Sequence, residues 1–83
     1  MNRLKTLVVD DESLARKGLA IRLKEFEQLE LMPECKTSRA AVEIIVKEKP
    51  DLIFLDIQMP GLNGFEVLKA VKERGQDLPI VVF

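Results

Sequence analysis

The stretch Leu52-Ile53-Phe54-Leu55 constrains the fold more than any other part of the chain. A run this short and continuously apolar, with no polar side to turn toward water, fits a central strand of a parallel sheet, covered on both faces. Such a sheet requires helices between its strands, and the flanking sequence has the matching periodicity. Lys5–Val9 reads as a buried strand. Ser13–Glu27 reads as a helix with apolar positions Ala15, Leu19, Leu23 and Phe26 at spacings of three and four, capped by Asp11 or Glu12. Leu29–Glu34 fits a second strand, and Pro33, which cannot donate to a ladder, puts it at a sheet edge. Thr37 or Ser38 opens a helix that runs to about Lys47, with Ala41, Ile44 and Ile45 inward and Glu43 spaced to pair with Lys47. Pro50 follows as a stop. Gly64, Val67, Leu68 and Val71 form the stripe of a third helix with Gly75 at its C-terminal cap, and Pro79–Phe83 is a last apolar run. Strands alternating with helices predict a parallel α/β sheet with right-handed crossovers.

With 83 residues the chain is at most one domain, and a domain of this size buries only about 60–65% of the surface its unfolded form exposes. The apolar share of 47% and charged share of 33% are those of a folded globular protein rather than a disordered one. A net charge of −1 excludes a general electrostatic attraction to nucleic acid or anionic membranes. One cysteine, Cys35, and no histidine exclude an internal disulfide, a Cys/His zinc site and a Ser-His-Asp triad. Cys35 itself reads as a small buried hydrophobe beside the second strand. The start, Met1-Asn2-Arg3, runs straight into the first strand, and no apolar stretch reaches the roughly 18–20 residues of a membrane span. A cytoplasmic location is expected.

Two of the apolar runs end on acids: Leu7-Val8-Val9 on Asp10-Asp11-Glu12, and Leu52–Leu55 on Asp56. In an open parallel sheet the carboxyl ends of the strands share one crevice, and ligands bind there. The structural reading of such acids is helix capping, which suits Glu12. Capping needs one acid per helix, however, and Asp56 lies several residues before its helix begins. Carboxylates gathered at strand ends repel one another unless a cation joins them. A hard divalent ion such as Mg²⁺, which takes oxygen ligands and keeps room for phosphate oxygens, is the natural guest.

These residues resemble the receiver domain of two-component response regulators. Asp10-Asp11 after the first strand is similar to the family's acidic pair, Asp56 after the third strand to its phosphorylated aspartate, and Met59-Pro60-Gly61-Leu62-Asn63-Gly64 to the M-P-x-x-x-G segment that follows. The separation of about 45 residues between the acids suits two intervening βα units. The resemblance implies a flavodoxin-like (CheY-like) doubly wound parallel sheet, here its β1α1β2α2β3α3β4 part. It implies that Asp56 accepts a phosphoryl group from a sensor histidine kinase. It also implies that Mg²⁺ is bound by Asp11, Asp56 and the backbone carbonyl of Gln58, with Asp10 acting through water. The protein is then a regulatory phospho-acceptor rather than a conventional enzyme. Val9–Arg16 is further similar to the opening of receivers attached to LytTR-type DNA-binding domains, which implies a DNA-binding output domain elsewhere in the parent protein and no direct nucleic-acid contact from this segment.

On this resemblance residues 1–83 are the N-terminal part of one receiver domain, ending before the Ser or Thr and the Lys that the family carries after its fourth and fifth strands. Ile80–Phe83 would then be an apolar edge strand, and self-association through it is expected. Two other classes share the outline. A Mg²⁺-dependent phosphatase with an aspartate nucleophile usually has a second acid two residues after the first, where this chain has Gln58. A pseudo-receiver, which binds partners without phosphorylation, loses acids from the site, and here none is lost.

Overall fold

The alternating pattern resolves into β1 (Leu4–Val9), α1 (Ser13–Leu23), β2 (Leu29–Leu31), α2 (Ser38–Glu48), β3 (Leu52–Leu55), α3 (Gly64–Glu73) and β4 (Ile80–Val82). These elements come from a computed structural model that describes residues 3–83. Met1 and Asn2, read above as leading into the first strand, lie outside the described residues. The sheet order is β2-β1-β3-β4 and every pairing is parallel, with Thr6–Val9 alongside Leu52–Leu55 at the centre. This is the flavodoxin-like order, whose direction of winding reverses between β1 and β3.

Because successive strand residues point to opposite faces, Leu7 and Val9 of β1 and Ile53 and Leu55 of β3 share one side of the sheet. There they close a core with Ala41, Val42 and Ile45 of α2 and Val67 and Val71 of α3. Leu7, Ile53, Val67 and Val71 are wholly buried, and each such side chain stabilises the fold by about 1.5–3 kcal/mol. On the opposite side, facing α1, Val8, Phe54 and Leu19 line one open cavity, and Phe54 and Leu23 line a second. Among the described residues no helix is long and apolar enough to cross a membrane.

Several local expectations need correction. α1 stops at Leu23 instead of Glu27. Its end tightens into three-residue turns, with the Glu25 N–H donating to the Arg22 carbonyl and Phe26 to Leu23. The chain has to reverse there to lay Leu29 beside Leu4. Phe26 is therefore off the helix and 54% exposed, and Ala15 is exposed as well. Neither Asp11 nor Glu12 caps α1 by its side chain; Glu12 holds the cap position with extended backbone and no side-chain bond. β2 lies at the sheet edge as expected but ends at Leu31, and pairing resumes only where the Cys35 N–H donates to the Val8 carbonyl. Pro33, with no N–H, sits in the interruption. Glu43 pairs with Arg74 at 2.8 Å rather than with Lys47, and that hydrogen bond holds its carboxyl below the usual range. The pair is solvent-exposed, so its contribution to stability is small.

The remaining helix ends follow the sequence. Thr37 caps α2, its hydroxyl accepting the Ala40 N–H at 3.2 Å. Gly75, with φ +80°, follows the Arg74 cap of α3.

Candidate functional site

The geometry of the acids follows from strand register. Val9 and Leu55 are partners at the carboxyl ends of β1 and β3, so Asp10 and Asp56 leave the sheet side by side. Their main chains are held by ladder-like bonds: the Asp56 N–H donates to the Val9 carbonyl at 3.0 Å and the Asp10 N–H to the Cys35 carbonyl at 3.1 Å. Carboxylate oxygens of Asp10, Asp11 and Asp56 lie within 4.8 Å of one another, with Asp10 and Asp56 half-buried and Asp11 exposed. The three aspartates expected from sequence are thus brought together.

Each half-buried acid spends one oxygen on the turn that follows it. Asp10 Oδ1 accepts the Glu12 N–H at 2.9 Å, and Asp56 Oδ1 accepts the Gln58 N–H at 3.2 Å. These are aspartate turns two residues long, and they orient both carboxylates while drawing Gln58 against Asp56. Among the described residues no lysine or arginine pairs with the three acids; the two ion pairs present join Arg16 to Glu34 and Arg74 to Glu43. Three anionic groups within reach of one ion, with no side-chain ion pair to any of them among the described residues, form a donor set suited to a hard divalent cation.

The β3–α3 loop behind Asp56 is held closely. Met59 is buried in the core at 8% exposure. Gly64 lies against the strand end, where a Cβ would approach the Asp56 carbonyl oxygen to 2.9 Å, and its N–H donates to the Ile57 carbonyl at 2.8 Å. Asn63 and Glu66 form a reciprocal capping box at the start of α3, each side chain accepting the other's N–H at 2.9 Å. The Asn63-x-x-Glu66 spacing is visible in sequence and could have been read there.

Arg16 and Ser38 carry no such local signal. Arg16 Nη1 donates to the Asp10 carbonyl at 2.8 Å while Nε faces Glu34 at 3.4 Å, so one side chain ties the acidic turn to the β2–α2 connection. Ser38 bonds the β3–α3 loop from the start of α2.

Cys35 is 1% exposed and lies outside the acidic cluster, as its hydrophobic reading implied. Burial pushes its thiol up from the ordinary value, so little thiolate forms at neutral pH. Alkylation monitored by mass should be slow in buffer and complete in denaturant; rapid labelling of the folded chain would contradict this placement.

Residues 6–83 match the family profile described as the response regulator receiver domain. The chain belongs to that family. As a receiver it is 42% identical over 80 residues to the sensory transduction protein LytT of Bacillus anthracis, covering 96% of this chain and 32% of that protein. It is 38% identical to the transcriptional regulatory protein BtsR of Escherichia coli K12, covering 96% of this chain and 33% of BtsR. The chain thus spans about a third of the length of these curated relatives. Among solved structures, the response regulator domain of Thermotoga maritima CheB superposes with TM-score 0.85 at 32% identity, over 96% of this receiver and 60% of that chain. The signal receiver domain of NarL from Mycobacterium tuberculosis superposes with TM-score 0.86, also at 32% identity, over 98% of this receiver and 64% of that chain. The CheY-like fold expected from the strand-end acids and the loop motif is the fold these structures share.

Proposed function

We propose that this receiver is a phospho-acceptor in which Asp56 takes a phosphoryl group from the phosphohistidine of a sensor histidine kinase. The observation that carries the reading is the meeting of Asp10, Asp11 and Asp56 within 4.8 Å at the carboxyl ends of the two central strands. Asp11, Asp56 and the main-chain carbonyl of Gln58 would hold Mg²⁺, with Asp10 acting through a bound water. The ion's chemistry is to neutralise charge on the phosphate oxygens, on which phosphoryl transfer chiefly depends.

The remaining work falls to the chain. Asp56 Oδ1 is engaged by the Gln58 N–H, which leaves Oδ2 as the oxygen for nucleophilic attack. That oxygen attacks phosphorus as the bond from phosphorus to the imidazole nitrogen breaks; the electron pair returns to the ring nitrogen and an acyl phosphate remains. Added negative charge at this strand end then biases a two-state surface that controls an output domain. The names of LytT and BtsR, a sensory transduction and a transcriptional regulatory protein, support an output in transcription regulation; a DNA-binding output domain in a cytoplasmic parent protein is the form we propose for it. Glutamine in place of an acid at position 58 argues against an aspartate-nucleophile phosphatase, and retention of all three acids argues against a pseudo-receiver.

Intact mass after incubation with a small-molecule phosphodonor tests the proposal. The expected result is a Mg²⁺-dependent gain of one phosphoryl group that is absent in Asp56→Asn. No gain in the unmodified chain, or an equal gain in Asp56→Asn, would overturn it.

A further inference from the structure

Ser38 is a buried hydroxyl, 2% exposed, at the first residue of α2. The helix does not need it, because Thr37 already caps α2. Its two partners are main-chain groups of the β3–α3 loop, more than twenty residues away. Ser38 Oγ donates to the Pro60 carbonyl at 3.3 Å and accepts the Leu62 N–H at 3.0 Å. The loop closes around the hydroxyl: Gly61, between those partners, has φ +84°, and a Cβ there would lie 3.1 Å from Ser38 Oγ.

We infer that Ser38 is a positioning residue for the metal and phosphoryl site, holding the loop so that the main chain of Gln58 stays in place beside Asp56. The inference rests on the phospho-acceptor reading above. Gln58 lies between two anchors: upstream, its own N–H is bonded to Asp56 Oδ1, and downstream, Met59 is buried and Pro60 and Leu62 are bonded to Ser38. Gly64, tied to the Ile57 carbonyl, closes the far side. Without the Ser38 hydroxyl the Pro60 carbonyl and Leu62 N–H lose a buried partner, and unpaired main-chain groups are costly enough that a loop shifts to hydrate them. Gln58 would shift with it, although Ser38 is not itself a ligand. Outer partners of this kind set metal affinity by fixing the groups that ligate.

The test is a Mg²⁺ titration of the whole chain, followed by amide chemical shifts, on the unmodified protein, Ser38→Ala and Val42→Ala. Val42 is a buried residue of the same helix, 7% exposed, within the same core, and its side chain makes no hydrogen bond, so its truncation supplies a loss of packing without the loss of a hydrogen bond to the loop. Ser38→Ala should weaken Mg²⁺ binding about tenfold, the lower end of the effect of a lost outer partner, and speed hydrogen exchange at the Leu62 amide. Val42→Ala should leave the Mg²⁺ affinity unchanged. Binding by Ser38→Ala equal to that of the unmodified chain, or weakened no more than in Val42→Ala, would overturn the positioning role and leave the phospho-acceptor reading intact. An unmodified chain that binds no Mg²⁺ would overturn both.

Discussion

Gly64→Ala should lower the stability of this receiver by about 1–3 kcal/mol, the range for overpacking a close contact, and should reduce phosphoryl uptake at Asp56. A methyl group at this position would lie 2.9 Å from the Asp56 carbonyl oxygen and 3.1 Å from the Ile57 Cα. Both are main-chain atoms, so no rotamer change relieves the contact. Either α3 withdraws and the 2.8 Å bond from the Gly64 N–H to the Ile57 carbonyl is lost, or the strand end moves and takes the Asp56 carboxylate with it. Gly18→Ala is the contrast: a Cβ there meets nothing within 4 Å in the middle of α1, and alanine should stabilise the helix by about 0.5–1 kcal/mol. Urea midpoints and intact-mass phosphorylation of the two variants measure both effects. A Gly64→Ala protein with the midpoint and uptake of the unmodified chain would show that the helix–strand contact is not tight.

Ile53→Ala is expected to have a still larger effect on stability, about 2–5 kcal/mol as for other buried isoleucines truncated to alanine. Ile53 is wholly buried in the central strand, in the core closed by α2 and α3. Native domains are stable by only about 5–15 kcal/mol, and one of this length starts from modest burial, so much of the margin would be lost. Ile80→Ala in the edge strand β4 removes the same atoms from a side chain that is 63% exposed, and a change within about 0.5 kcal/mol is expected. Comparable losses at both positions, measured by chemical denaturation, would contradict the contrast between the buried central strand and the exposed edge strand.

The candidate site was more legible in the sequence than the helix boundaries were. Asp10 and Asp56 each follow a short apolar run, and parallel pairing of those runs puts their ends together whatever the details of the connections. α1 shows the opposite case. Its apolar spacing continues to Phe26, yet the helix stops at Leu23, because the position of the turn is governed by the docking of Leu29 beside Leu4. The Glu43–Lys47 spacing likewise marked a possible pair, and Arg74, 31 residues away, took the carboxylate instead. Local periodicity describes what one element offers; it carries no record of which neighbour arrives first.

By itself the sequence determined that β3 is central, that β2 is an edge strand, that α2 and α3 each have one apolar face, and that acids collect at the carboxyl ends of β1 and β3. These follow from short-range patterns: side-chain alternation, the missing N–H of proline, and the common direction of parallel strands. Only the tertiary structure decided that Arg16 braces the Asp10 turn, that Ser38 holds the loop behind Asp56, and that Gly64 sits against the Asp56 carbonyl. Each of the last two is a contact of a single small group with main chain from another element, and packing at atomic distances leaves no periodic trace in the residues that make it.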